Sequence, residues 1–267
     1  MCLCVVMLKA KTPICGEEHI TFDEPSHTYT VRGKRVPISV TALGGRAVPL
    51  EHQFNGVEVI NRNLTSWREK ASSKYHDLVT GVTDAQAREN VLALWNRNRD
   101  AGTVMHKLFE DVLNEVPPAS TEGHEAELAQ FYAAMAEMQE VPARTELSIY
   151  AVDREGEAAV AGQIDLLTRD KEGDFHIVDF KRTTNDLSPG AFSFGKRFLD
   201  GKPLNDHYKY SLQLSLYTVI FTQQTGLPIE SCRLLQIHPD LDAHRWVDAT
   251  DLTTEARELL RDAHVAL

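Results

Sequence analysis

The chain is short of several things. It has four cysteines, Cys2, Cys4, Cys15 and Cys232, in 267 residues, too few for a disulfide-stapled scaffold of this length. Three crowd the first fifteen residues, and Cys2 and Cys4 are spaced C-x-C rather than C-x-x-C. Free thiols are the ordinary explanation, with a zinc or iron–sulfur site the minor alternative. No stretch supplies the roughly 20 apolar residues of a membrane-crossing helix. The longest early apolar run, Met1–Leu8, is short for a signal core and lacks a basic lead and a small-residue cleavage site. A soluble intracellular protein with no membrane partner is therefore expected, with Met1–Leu8 an N-terminal strand or a mobile tail. Repeats and low-complexity tracts are also missing. Positive charge is scarce: 28 Lys and Arg stand against 39 Asp and Glu, a net charge of −11. That excludes a uniformly basic coat, but not a local basic groove, because net charge averages over the whole surface.

What is present is ordinary globular composition, sufficient for a sizeable core. Residues 19–40 alternate as strands and turn at Arg32-Gly33-Lys34. Residues 56–100 carry Val57, Ile60, Leu64 and Trp67 at helical spacing. Thr83-Asp84 caps a helix over 85–99, and a second helix runs over 101–116 after Gly102, stopped by Pro117-Pro118. Residues 124–139 form another helix. The period then changes to that of strands at 145–152, 158–168 and 175–181, joined by Asp153–Gly156 and Asp170–Gly173, an antiparallel meander. A helix follows over 208–225, stopped by Gly226 and Pro228, then a strand at 232–237 and an acidic tail with a terminal helix. The expected division is a strand and turn extension at 1–55, a helical segment at 56–100, a core at 101–240 and the acidic tail at 241–267, together one compact domain.

Chemistry concentrates at strand ends. Asp165 closes Gly162-Gln-Ile-Asp165, while Asp179 and Lys181 lie two apart in Ile177-Val-Asp-Phe-Lys181 and share a face. Carboxylates inside apolar strand are costly unless compensated. A hard divalent cation such as Mg²⁺ or Mn²⁺ would compensate two of them. An ammonium beside it could orient a water or stabilise developing negative charge, which describes metal-assisted phosphodiester hydrolysis. For Asp-x-Lys taken alone, a buried ion pair or solvent-facing strand end is the commoner outcome. His106 and Glu110 are i, i+4 on one helix, and so are Gln213 and Tyr217. An imidazole suits manganese-class metals, although a lone helical His is more often a surface or capped residue. Gln213 and Tyr217 could reach a phosphate or base, or could be incidental polar residues on a leucine-rich helix.

Taken in order, these pieces resemble the PD-(D/E)XK nuclease superfamily, in particular its RecB-like exonuclease branch. That branch is marked by G-T-x-x-H-x-x-x-E, G-x-I-D, D/E-x-K and Q-x-x-x-Y. Here they read Gly102-Thr103-x-x-His106-x-x-x-Glu110, Gly162-x-Ile164-Asp165, Asp179-x-Lys181 and Gln213-x-x-x-Tyr217. His27-x-Tyr29, Gly33 and Ser39-Val40-Thr41 look like the entry segment of some viral, phage and mitochondrial-genome-maintenance members. The resemblance covers about residues 100–240. It implies an α/β (α+β) fold with a restriction-endonuclease-like α-β-β-β-α-β core, a mixed central sheet flanked by helices.

The resemblance also implies a metal-dependent deoxyribonuclease. His106, Asp165, Asp179 and the carbonyl of Phe180 would hold one or two Mg²⁺ or Mn²⁺ ions. Lys181 would be the catalytic lysine, acting with Asp165 and Asp179. Glu110 would support the site or help bind a second ion. Gln213 and Tyr217 would position DNA, and Thr103, Arg182 and Thr183 would contact substrate. One departure is Asp179 where many members carry the longer Glu. Relatives with an iron–sulfur cluster use one early and three late cysteines; only Cys232 is late here, so no cluster is expected.

DNA, as single strands or duplex ends, is the expected partner, with RNA left open and protein partners unread. Between Val59 and Arg99, seven Lys and Arg face four Asp and Glu, so these helices are expected to carry DNA affinity, as is the 186–206 loop through Lys196 and Arg197. Phe192, Phe194 and Phe198 there could stack bases or fold inward. The competing reading is a catalytically silent nuclease fold used for DNA binding or assembly.

Overall fold

The computed structural model describes residues 7–48, 54–190, 199, 201–202 and 205–267. Cys2, Cys4, Phe192, Phe194, Lys196, Arg197 and Phe198 lie outside the described residues, as does most of Met1–Leu8. In chain order the elements are α1 (Leu8–Lys11), β1 (Ile20–Asp23), β2 (Thr28–Val31), β3 (Lys34–Arg35), β4 (Ile38–Ser39) and α2 (Val40–Arg46). Then come α3 (Gly56–Glu69), α4 (His76–Val79), α5 (Asp84–Leu113) and α6 (Glu125–Glu137). The remainder is β5 (Val141–Val152), β6 (Ala158–Arg169), β7 (Phe175–Arg182), α7 (Asp206–Thr225), β8 (Ile229–Ile237), β9 (Arg245–Asp248) and α8 (Thr253–Asp262). No described helix is long and apolar enough to cross a membrane.

The chain divides into two units, Met1–Pro49 with His106–Leu267, and Leu50–Met105. In the smaller unit, Ile60, Leu64, Val79, Ala87 and Val91 are buried, with Trp67, Tyr75 and Trp95 packed around them. Asn55 caps α3 by accepting from the Glu58 amide at 3.3 Å, and Thr83 Oγ1 accepts from the Gln86 amide at 3.3 Å at the start of α5. The two helices expected at 85–99 and 101–116 are one, Asp84–Leu113. Gly102 costs the helix about 1 kcal/mol relative to Ala, which does not break a run free of proline. Glu115, in the left-handed region at φ 59°, ends the helical course instead.

In the larger unit the meander forms as expected. β5 pairs antiparallel with β6, and β6 antiparallel with β7; β8 then adds parallel to β7, and β9 antiparallel to β8. The sheet is therefore mixed, and β4 pairs parallel with β6. β1, β2 and β3 make a separate small antiparallel sheet. α7 lies over the large sheet, burying Leu212, Leu216, Tyr217, Ile220 and Phe221. Gly226, at φ 73°, caps its C-terminus in the left-handed conformation that glycine tolerates. Against another part of β7, the Phe180 ring meets Phe109 of α5 and Phe131 of α6, and those two rings stack at 4.0 Å. The 241–267 stretch forms the expected terminal helix as α8, adds β9, and, rather than standing off as a tail, buries Leu252, Leu259 and Leu260 in the same core as α7. The buried Arg144 of β5 ties down the N-terminal segment. It donates to Glu17 and to the Thr12 carbonyl, the latter at 3.2 Å.

One feature of register positions the site. β7 pairs with β6 only from Leu166–Val178 to Arg169–Phe175. On β6, β4 takes up pairing at Val160 and Ala161, while β5 follows the opposite edge throughout. Between these contacts, at residues 162–165, β6 has no partner on that side. The sheet opens there as a fork, and Asp165 and Asp179 stand where β6 and β7 part.

Candidate active site

The fork gathers its polar groups from several elements. Asp165 comes from β6; Asp179, Phe180 and Lys181 from β7; His106 from α5. The Asp165 carboxylate spans the gap, its Oδ2 accepting from the Phe180 amide at 2.8 Å. His106 lies over the same point, with Nδ1 3.5 Å from Asp165 Oδ2 and Nε2 3.1 Å from the Phe180 carbonyl oxygen. Asp179, 2% exposed, places Oδ2 2.5 Å from Lys181 Nζ, yet that oxygen receives no aligned hydrogen bond. The Lys181 ammonium also sits 4.5 Å from the centre of the Tyr210 ring. From α7, Gln213 Nε2 donates to Tyr217 Oη at 3.0 Å and approaches Asp179 Oδ1 at 3.5 Å.

Tyr217 reaches this point because Gly162 has no side chain. A Cβ at Gly162 would stand 2.7 Å from Tyr217 Cε1 and 2.8 Å from Val40 Cγ2. The glycine of G-x-I-D is thus a close-approach residue, over which α7 and the Ser39-Val40-Thr41 segment pack. Ser39 itself pairs with Ala161 of β6, next to the open stretch of the fork.

The electrostatics are those of an under-compensated acidic cluster. Burial pushes Asp179 up to about 6, with the Asp165 charge adding to it and Lys181 opposing. Burial works against the Lys181 ammonium, but Asp179 and Asp165 outweigh it and hold the lysine charged, above its usual range. Tyr217 is raised by burial and by Asp179 and Asp165, and Tyr29 of the small sheet by burial, Glu146 and Asp165.

Glu146 was not among the expected site residues. It lies on β5 opposite Asp165, between the cross-strand pairs Thr145–Leu166 and Leu147–Ile164. Its carboxylate is driven well above the usual range by burial and by Asp165, Glu110 and Asp179. His106, Glu146 and Asp165 each bring a ligand atom within 4.8 Å of the others. Ordinary strand alternation gives no signal for it, because Arg144, Thr145 and Ser148 make polar residues unremarkable in this part of β5.

The donor set suits a hard or borderline divalent ion: carboxylate oxygens, a backbone carbonyl and one imidazole. Carboxylates held above their usual range by burial and by one another are what such an ion would relieve.

The other expected residues fall as follows. Glu110 pairs with Lys107 at 2.8 Å, and its charge is felt at Glu146. Thr103 is exposed on α5, with its hydroxyl 3.5 Å from the Arg99 carbonyl. Arg182 is the neighbour of Lys181 on a strand and so points the other way; its Nε donates to the buried Glu127 at 3.0 Å. Thr183 closes the turn after β7, its Oγ1 accepting from the Asn185 amide at 3.0 Å and its carbonyl from Gln236 at 2.8 Å. Cys232, on β8, contacts Thr218 Oγ1 at 3.3 Å, and burial pushes its thiol up to about 11.

A family model, the PD-(D/E)XK nuclease superfamily, matches residues 84–263, about two thirds of the chain. No curated protein matches. A solved structure described as "Crystal structure of SSO0001" is similar at 19% identity and a TM-score of 0.29, covering 62% of this chain and 69% of that one.

Proposed function

Because the chain belongs to the PD-(D/E)XK nuclease superfamily, whose members are metal-dependent nucleases, we propose that it is a RecB-like exonuclease. In this reading it hydrolyses DNA phosphodiester bonds at ends or on single strands, with Mg²⁺ or Mn²⁺. The observation that carries the reading is the fork: Asp165 on one strand and Asp179 and Lys181 on the next converge with His106 and the Phe180 carbonyl.

His106, Asp165, Asp179 and the Phe180 carbonyl are the proposed ligands. When bound, the ion supplies Lewis-acid stabilisation of the charge that develops on the phosphate. Lys181, kept protonated by Asp179 and Asp165, orients the attacking water and stabilises negative charge on the phosphate. Asp179 holds that ammonium in place, and Gln213, fixed by Tyr217, steadies Asp179 from α7. Glu110 supports the cluster from α5 by holding Lys107 beside it. DNA affinity rests on Lys and Arg of residues 59–99 and on Lys196 and Arg197, with Thr103 and Thr183 as further substrate contacts, and so falls as salt rises; Arg182, held by Glu127 on the other face of β7, has a structural place instead.

The test incubates end-labelled single-stranded DNA, duplex DNA and RNA, and closed circular DNA, with Mg²⁺, Mn²⁺ or EDTA. Metal-dependent release of nucleotides from linear DNA is expected, with Lys181→Ala slower by about 10²–10⁴-fold. Absence of metal-dependent cleavage on every substrate would sink the enzyme. Cleavage of the circle would replace exonuclease with endonuclease, and full activity in Lys181→Ala would move the chemistry elsewhere.

A further inference from the structure

Glu146 breaks two rules of the strand that carries it. Its backbone stands at φ 46°, the left-handed region that a non-glycine residue seldom adopts inside a strand. The ladder resumes at once on either side, with Thr145 opposite Leu166 and Leu147 opposite Ile164, so the distortion is confined to one residue. Its displaced carbonyl is not left bare: Gln163 Nε2 donates to it at 3.1 Å. Gln163 belongs to the same Gly162-Gln-Ile-Asp165 segment that delivers Asp165. The kink is thus a built feature with its own backbone support.

The second breach is electrostatic. Glu146 and Asp165 are cross-strand neighbours of like charge, an arrangement that destabilises a sheet. Glu110 and Asp179 add to the same field, and Lys107 alone opposes it among the groups that act most strongly on Glu146. No described residue donates a hydrogen bond to the Glu146 carboxylate. A strained backbone that aims an unpartnered carboxylate at another carboxylate gains nothing within the chain; such outliers persist where the surrounding structure over-determines them for a function.

We propose that Glu146 is a ligand of the metal centre, completing a His106–Glu146–Asp165 set. The geometry carries this. These three side chains already converge within 4.8 Å, whereas Asp179 is engaged by Lys181 at 2.5 Å. The imidazole and two carboxylates form a preassembled nitrogen–oxygen set suited to manganese-class ions. Asp179 is left to govern Lys181 as well as the ion. The proposal rests on the metal-dependent reading of the fork.

The test reads metal directly, without DNA. Mn²⁺ is titrated into EDTA-treated, dialysed protein and free ion is followed by electron paramagnetic resonance, for the native protein and for Glu146→Gln, Glu146→Gly and Asp165→Asn. Melting temperatures are taken in EDTA and in Mn²⁺. Expected is at least about a tenfold loss of Mn²⁺ affinity in both Glu146 variants, with melting in EDTA at or above the native value. Gln removes the like charge, and Gly also relieves the left-handed backbone. A glutamate kept for structure predicts the reverse, lower melting in EDTA with Mn²⁺ affinity unchanged, and that result overturns the proposal. If Asp165→Asn loses Mn²⁺ and the Glu146 variants do not, the centre stands and Glu146 is not its ligand. If the native protein takes up no Mn²⁺, the metal reading itself fails.

Discussion

Two acid–base pairs flank strand β7, and they are built in opposite ways. At the turn that leads into it, Asp170 Oδ1 accepts from the Gly173 and Asp174 amides at 2.9 and 2.8 Å, and Oδ2 lies 3.1 Å from His176 Nε2. His176 Nδ1 in turn lies 2.8 Å from Ser231 Oγ. Burial works against this carboxylate, but the Asp174 amide, His176 and the Gly173 amide prevail and hold it below its usual range. At the fork, burial pushes Asp179 up to about 6, and the neighbouring Lys181 ammonium at 2.5 Å only partly offsets it. Both ends offer a carboxylate beside a cationic or ionisable partner. The difference is that the turn saturates its carboxylate with donors inside the chain, while at the fork the Glu146 carboxylate has no donor among the described residues. A carboxylate saturated by backbone amides is a structural part; one raised by burial and by its neighbours is reserved for something that arrives later.

The glycines at the two ends sharpen the contrast, and the first gives the largest effect expected. Gly162→Ala puts a Cβ against the buried Tyr217 ring and Val40, neither of which can swing away. Overpacking of this kind costs about 1–3 kcal/mol, here at the upper end, and it displaces the residue that fixes Gln213. Urea unfolding should show the loss, and nuclease activity should fall with it. Gly173→Ala meets mainly the flexible end of Arg169 but must adopt φ 97°, for about 1–2 kcal/mol, and should leave activity intact. Equal activity losses in the two variants would erase the distinction between the ends.

The same contrast explains what the sequence could and could not reveal. The meander and its turns were legible because alternation and Asp/Gly turn residues act locally. Asp165, Asp179 and Lys181 were legible because charge in apolar strand is conspicuous, and their spacing fixes their face. Glu146 was hidden because its position depends on one left-handed residue, which alternation does not signal. The pairing of Arg182 with Glu127 also needed the third dimension, since Glu127 lies on α6, 55 residues away. Gly102 misled because a glycine penalty near 1 kcal/mol is small beside the packing of a long helix. β9 was missed because four residues carry too little periodicity to register. The function of Gly162 was beyond reach until α7 was in place above it.

Metal should invert the sign of the fork's contribution. A carboxylate raised in the folded state stabilises the fold below its unfolded value and loses that contribution as pH rises through its folded value. In EDTA, Glu146→Gln and the native protein should therefore be similar near pH 4, and the variant should become the more stable of the two as pH climbs above the carboxylate range. Mn²⁺ at about 100 times its dissociation constant adds about 2.7 kcal/mol to the native protein near neutral pH, and little near pH 4, where Glu146 and Asp179, both raised by burial, hold protons instead. Urea midpoints from pH 4 to pH 8, with and without Mn²⁺, measure both. An EDTA gap that does not widen with pH would mean that the fork carries no excess of unmatched charge.

At the turn the slope runs the other way, and the effect is the smallest. Asp170 is held below its usual range, so its contribution is present above the unfolded value and disappears as pH falls through the folded one. Asp170→Asn should lower the melting temperature modestly at pH 7, with the difference vanishing at pH 2–3. Because the turn's acceptors are already satisfied, Mn²⁺ should not change that difference at any pH, and cleavage should be unaffected. A Mn²⁺-dependent difference would couple the two ends of β7 and undo the separation between them. An asparagine keeps one acceptor for the Gly173 and Asp174 amides, so what the experiment isolates is the charge facing His176, the one element that the turn and the fork share.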